Sequence, residues 1–451
     1  MYRQPLRFLL VLLVLTFPLQ GKSTPLIVPL ETVKSLPSLY FSESPLLGDI
    51  PADYKEALFE ILRKDIEHSF HFDLTMGKID VEPLLQGTIQ GQMKELPAFK
   101  SDFVLLPKIE KKSFVLKLFE PRFHTTSVVG TVNLTGNLKE DREELHKLFD
   151  LLHYKVFHQP GIASSKILFC KKIPTEEDSW ISDIYEMSLD GSHLRKLTSS
   201  QNYLITPVII PKTQTKEGYD FIYVSYEQGQ PKIFKKTPHE EAIPLIAMRG
   251  NQLLPSFSPM GDKIAFICDA SGKTDLFFQQ YHPTKGAIGK PIQLFSKLNT
   301  TQASPTFSPC GSKIAFVSDK DGGPKIYVLE IIDAIRHQKT PHVRLLTPNH
   351  RDSACPAWSP DGKKIAFSSM HNGYRQIWVL DLEKNLEMPI TSGVLDKENP
   401  SWAPDSIHLV YNTTGHESQI YSIDIVKQKP VKLTDGEGIA HFPSWEPRHG
   451  N

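Results

Sequence analysis

Leu254-Pro255-Ser256-Phe257-Ser258-Pro259 is a phrase that the chain repeats. It returns as Ser-Pro-Thr-Phe-Ser-Pro at 304–309, Cys-Pro-Ala-Trp-Ser-Pro at 355–360, Asn-Pro-Ser-Trp-Ala-Pro at 399–404 and Phe-Pro-Ser-Trp-Glu-Pro at 442–447. A degenerate copy, Thr-Pro-Val-Ile-Ile-Pro, occupies 206–211. The last prolines of successive copies are 48, 50, 51, 44 and 43 residues apart. Spacings of that size are those of β-propeller blades.

The residues after each phrase keep one order. A turn such as Asp361-Gly362 leads into a strand, as at Lys263–Ile267, Lys313–Val317 and Lys364–Ser368. A loop follows, then a second strand (Lys325–Leu329, Gln376–Leu380, Gln419–Ile423), and a short last strand ending in Leu-Thr at 197–198, 346–347 and 433–434. With the phrase itself this makes four strands, A to D. Proline sets the first corner of the A–B turn and glycine supplies the positive φ that closes it. The copy at 399–404 continues as Asp405-Ser406, without glycine, and a looser turn is expected there. Phe257, Phe307, Trp358, Trp402 and Trp445 recur in register, which marks them as packing between blades.

The count closes a ring. Lys166–Cys170 is a B strand with no phrase before it, and 442–447 is an A strand with nothing after it. Each supplies what the other lacks, so six four-stranded blades result, the first completed by the C-terminal strand. This assigns 162–451 to an all-β six-bladed β-propeller.

Ahead of it, 24–161 reads as a small α/β domain. Helices are expected from Pro51 to about Ser69 and from about Asn137 to Phe157, each with one apolar face. Strands are expected at Leu36–Phe41, Phe103–Leu106, Ser113–Phe119 and Ser127–Val132, making a small mixed sheet. Residues 1–23 have the order of a cleaved signal peptide: Arg3 and Arg7, an apolar run from Phe8, then Gly21-Lys22-Ser23. That run is too short to span a bilayer comfortably, so an exported protein without membrane insertion is expected. Four cysteines, Cys170, Cys268, Cys310 and Cys355, have no framework spacing and read as isolated thiols.

Balanced charge, 51 Lys+Arg against 51 Asp+Glu, argues against a general nucleic-acid binder. No Gly-x-Ser-x-Gly elbow and no His-Glu-x-x-His pattern occurs, so neither a hydrolase nor a zinc peptidase is expected, and no cofactor or metal is called for. A propeller-gated hydrolase and a sugar- or lipid-binding envelope propeller are the competing readings; no aromatic-rich rim is visible for the latter. Alternating strand direction puts the B–C and D–A loops on one rim and the A–B and C–D turns on the other. Varied polar loops make the first rim the binding face. The partner-binding candidates are Arg249, Asn251, Asn299, Thr300, His350, Arg351, Asp396 and Lys397.

The whole arrangement resembles the TolB family, periplasmic β-propeller proteins of the Tol–Pal system with WD40-like (PD40) repeats. The junction Gln159-Pro-Gly-Ile-Ala-Ser-Ser-Lys-Ile-Leu-Phe169 and the segment Leu36-Pro-Ser-Leu-Tyr-Phe41 carry the resemblance beyond the repeats. It implies a periplasmic, non-enzymatic protein that binds the lipoprotein Pal through the loops before strand A. It also implies contact with TolA through an extended N-terminal peptide, roughly Thr24–Lys34 here, whose composition departs from the more acidic family versions. Outer-membrane integrity and cell division are the implied roles, performed by a monomer within the complex.

Overall fold

The structure is a computed structural model and describes residues 36–43, 50–77, 97–174, 180–213, 218–337, 341–436 and 438–447. The expected signal peptide and Thr24–Lys34 lie outside the described residues.

Five strands form the first sheet: β1 Ser38–Ser42, β2 Asp73–Gly77, β3 Phe103–Glu110, β4 Ser113–Glu120 and β5 Thr125–Asn133, in the order β2-β1-β3-β4-β5. β1 runs parallel to β2 and β3 while the other pairs are antiparallel, so the sheet is mixed. Helices α1 Ala52–Ser69 and α2 Leu138–Phe157 fall within a residue of the expected spans. Leu58, Ile61, Leu62 and Ile66 of α1 and Leu145, Leu148, Phe149 and Leu152 of α2 close on Leu39, Phe41, Leu105 and Leu116 of the sheet. Asn137 caps α2 by accepting from the Lys139 N–H at 3.1 Å. β2 escaped the sequence reading because its residues are half-buried or exposed, and only parallel pairing with β1 makes it a strand.

Six four-stranded sheets follow. Their A strands are Ile439–Trp445 in blade 1, then Leu204–Ile209, Gln252–Phe257, Gln302–Phe307, Ser353–Trp358 and Lys397–Trp402 in blades 2 to 6. Blade 1 joins the two ends of the repeat region, Ile439–Trp445 pairing antiparallel with Lys166–Pro174. The Trp445 indole N–H donates to the Ser165 hydroxyl at 2.7 Å, and the Lys166 N–H donates to the Glu446 carboxylate at 2.9 Å.

The phrase proline explains the shape of every A strand. Proline has no N–H to give the ladder, so pairing with strand B slips at this point in all six blades. The residue before it takes positive φ each time: Thr206, Leu254, Ser304, Cys355, Asn399 and Phe442, between 46° and 54°. These six residues and the six prolines after them line a central channel with a volume of about 680 Å³. The second proline does set a turn corner, as the Gly261 N–H closing on the Ser258 carbonyl at 2.8 Å shows. The phrase serine adds a bond of its own, since Ser258, Ser308 and Ser359 hydroxyls accept from the N–H of Lys263, Lys313 and Lys364.

The looser turn expected after 399–404 is not what forms. Ala403 has no hydroxyl, but the Asp405 carboxylate accepts from the Ile407 and His408 N–H groups at 2.9 and 3.0 Å. Ser406 takes the positive φ, 62°, that glycine has elsewhere. The Leu-Thr endings also acquire a reason, for they lie just beyond the D strands. Thr198, Thr347 and Thr434 hydroxyls accept from the N–H of Ile184, Ile326 and Ile420, continuing the ladder with a side chain.

Phe257, Phe307, Trp402 and Trp445 are buried, with Trp358 half-buried. They pack between blades: Phe257 meets Ile210 and Ile222 of blade 2, and the Trp402 indole donates to the Ala357 carbonyl of blade 5 at 3.0 Å. The four cysteines are free thiols.

Deleting residues from Ile439 onward is expected to lower the melting temperature of the whole propeller, and Trp445→Ala to cost about 3–5 kcal/mol in urea unfolding. Unchanged melting of the truncated chain would contradict the closure.

Candidate functional site

The α/β domain sits against the A–B and C–D turns of blades 1 and 6. The Phe70 ring stacks on His408 at 5.7 Å, and Arg142 pairs with Asp190 at 2.5 Å. The chain enters the propeller tightly: Asp150 of α2 accepts from the Ala163 and Ser164 N–H groups. A Cβ on Gly161 would lie 2.7 Å from the Asp150 Cα, so only glycine fits this approach. Among the described residues the α/β domain leaves the opposite rim, of D–A and B–C loops, uncovered.

That rim is held in place by its own polar groups. Asp269, in a B–C loop, accepts from the Asn251 N–H at 2.6 Å and from the Asn251 side-chain amide at 2.7 Å. Asp319 repeats the device in the next blade, accepting from the Thr301 N–H at 2.8 Å and from its hydroxyl. At Gly250 φ is +83°, and a Cβ would lie 2.6 Å from the Asp269 carboxylate. Glycine is what lets the loop double back and leave Arg249 exposed.

The eight candidates lie on four successive D–A loops and divide into two groups. Arg249, Asn299 and Arg351 are exposed. Asn251 is committed to Asp269. The Thr300 hydroxyl donates to the Lys297 carbonyl at 3.0 Å and accepts from Gln302 at 2.9 Å. One Asp396 oxygen accepts from the Arg375 N–H at 2.7 Å.

His350 and Lys397 depart from the outward placement expected of them. The His350 ring is enclosed, with Nδ1 2.7 Å from the Ser369 hydroxyl, Nε2 3.3 Å from Glu387, and the ring edge-on to Trp378 at 4.8 Å. Lys397 is buried, and its ammonium donates to Gln376 Oε1 at 3.1 Å and to the Ser392 and Leu395 carbonyls at 3.0 Å each. Burial pushes that ammonium below the usual lysine value. Three internal acceptors use its three protons, and a loop position facing solvent in sequence becomes a loop clasp in the fold.

Two features of the rim were not found from sequence. An aromatic cluster forms where blades 1 and 2 meet: the Lys172 ammonium lies 4.3 Å from the Trp180 ring and 5.6 Å from Tyr203, which packs edge-on against Tyr226 at 5.8 Å. This corrects the expectation of a rim without aromatic clustering. Its residues belong to separate strand ends, so no local pattern announces it. Arg375, between Asp352 and Glu398, is the other; it lies near the start of a strand, and its two carboxylate partners come from other segments of the chain. Among the described residues no group of three or more His, Cys, Asp or Glu is placed to hold a metal ion. No helix among them is long and apolar enough to cross a membrane.

Comparison with known proteins agrees with this architecture. A family model described as the TolB beta propeller domain matches residues 154–449. The TolB homologue of Protochlamydia amoebophila is 36% identical over 386 residues, 83% of this chain and 81% of its own. That of Chlamydia caviae is 35% identical over 366 residues, 76% and 84%. The crystal structure of TolB from Acinetobacter baumannii shares the fold, with a TM-score of 0.71 over 92% of this chain and 97% of its own at 19% identity.

Lys397→Ala should remove one donor each from Gln376 Oε1 and the Ser392 and Leu395 carbonyls and cost about 1–3 kcal/mol in urea unfolding. Arg351→Ala on the same rim should stay within about 0.5 kcal/mol of the wild type.

Proposed function

The chain belongs to the TolB family, and on that premise we propose that it is a non-enzymatic periplasmic binding protein of the Tol–Pal envelope system. Its open rim takes the lipoprotein Pal, and the segment Thr24–Lys34 ahead of β1 takes TolA. The role served is outer-membrane integrity and cell division.

The observation that carries this reading is the division of the propeller's two faces. The α/β domain occupies the A–B and C–D turns at blades 1 and 6, while among the described residues the D–A and B–C loops are uncovered and internally braced. Loops fixed before binding lose little freedom on association, which favours affinity. Arg249 and Arg351 offer exposed guanidinium groups, and Trp180, Tyr203 and Tyr226 offer flat amphipathic rings. Arginine and aromatics are the residue types that dominate protein interfaces. Such a set suits recognition of a folded protein surface rather than bond cleavage, which favours binding over the hydrolase alternative. Asn251 and Lys397 serve this surface indirectly, as the groups that hold its loops.

Capture of Pal from envelope extract tests the reading. Arg249→Glu combined with Arg351→Glu should reduce capture by about tenfold or more, and Trp180→Ala should weaken it by about 1–2 kcal/mol. Met260→Ser, in an A–B turn, should leave it unchanged. Equal loss from substitutions on both faces would overturn the assignment.

A further inference from the structure

Histidines and aspartates gather where the α/β domain meets the propeller, and the binding rim uses none of them. Two of the imidazoles are clamped by carboxylates. His146 of α2 is buried, with Nδ1 2.8 Å from Asp65 of α1 and Nε2 3.7 Å from Asp190 of blade 1. Arg142 pairs with the same Asp190 oxygen at 2.5 Å. His408 of blade 6 is buried, with Nδ1 2.6 Å from Asp405 and Nε2 4.0 Å from Asp424. Burial alone would depress both rings, but the carboxylates outweigh it and hold each above the ordinary histidine value.

Three more rings lack such partners. His71, just past the end of α1, lies edge-on to His153 of α2 at 4.7 Å, 6.0 Å from the His408 ring and 5.3 Å from Phe157. Burial, with His153 and His408 nearby, lowers His71 to about 4. Burial also lowers His153 and His68. Asp405, Asp190, Asp150 and Glu67 face these rings and favour their protonation, while His408 and Lys64 oppose it. His193, beside Asp190, is lowered by burial as well.

The sequence source of this joint is a copy that departs from the repeat. Ser406 and His408 stand where blades 3 to 5 have a turn glycine and the lysines Lys263, Lys313 and Lys364, and Asp405 lies just before them. Without a phrase serine, Asp405 both closes its turn and grips His408, and the Phe70 ring seats on that histidine.

We propose that the joint between the α/β domain and blades 1 and 6 is a proton-operated latch, closed while His71 and His153 are neutral and opened when they take up protons. A proton on either ring would place positive charge beside His408 in a space filled by Phe70 and Phe157. The rings with lowered values bind protons more readily in the open state. For His71 the contribution to closure is therefore complete above about 6.5 and is lost as pH falls toward about 4, and the other lowered rings act in the same direction. Asp65, which burial lifts to about 6, and Asp150, which burial also lifts, take up protons in the closed state and oppose this acid limb, two carboxyls against four lowered imidazoles. His146 and His408 act in the other direction: their contribution is complete below about 6.5 and fades as pH rises through their raised values. Closure is thus strongest between the two limbs.

Small-angle scattering of the full mature chain, with near-ultraviolet circular dichroism recorded alongside, tests the latch independently of any partner. Between pH of about 6.5 and about 4 the radius of gyration should rise while the aromatic signal of the propeller tryptophans persists. His71→Phe should move that expansion to lower pH by about half a unit or more. His153→Gln, which keeps a donor for the Gln159 carbonyl but takes no proton, should shift it the same way. His408→Asn should open the joint at neutral pH. The latch is overturned by an unchanged radius across the range, by variants that open at the wild-type pH, or by loss of the tryptophan signal together with the expansion.

Discussion

Everything in the propeller depends on one strand pairing across almost the whole domain. Ile439–Trp445 must find Lys166–Pro174, and the Trp445–Ser165 and Glu446–Lys166 bonds link residues 280 positions apart. Until that pairing forms, blade 1 lacks its inner strand and presents an open edge. Once formed, it closes the channel, fixes the two rims and sets blade 6 beside blade 1. The α/β domain docks across that same seam, so the joint it makes exists only in the closed ring.

Within the ring, one phrase performs three jobs with three residue types. Its first proline interrupts the inner ladder and bends each A strand around the channel. Its aromatic residue fills the space between blades, and its serine and last proline close the A–B turn. Because the phrase is satisfied internally, most copies have nothing left to offer a partner. The copy at 399–404 lacks the serine, and aspartate takes over the turn. That substitution costs no closure and creates an aspartate–histidine pair, Asp405–His408, on which another domain can rest. A departure from the repeat is where this propeller acquires something specific.

The two faces obtain order by different means. On the A–B side the order is local, held by hydroxyl-to-backbone bonds a few residues apart. On the D–A side it comes from contacts between loops and neighbouring loops or strand ends, such as Asn251–Asp269, His350–Ser369 and Lys397–Gln376. Loops of the second kind can differ in outer residues without losing their shape.

Blade number, strand order and ring closure were legible in the sequence because each rests on a local signal, proline, glycine and alternating apolar residues, repeated often enough to be counted. The two helices were legible for the same reason, through one apolar face each. The half-buried strand β2 was not, since parallel pairing with β1 is what makes it a strand. At the site, sequence located the rim and its loops but not the direction of their side chains. Lys397 turns inward because Gln376 and two carbonyls converge on it. Trp180, Tyr203 and Tyr226 become one surface, and His71, His153 and His408 one cluster, only after blades and domains pack. Local chemistry determined the elements and their order; distances between residues far apart in the chain, and the burial those distances create, decided which groups are free to bind and which are held.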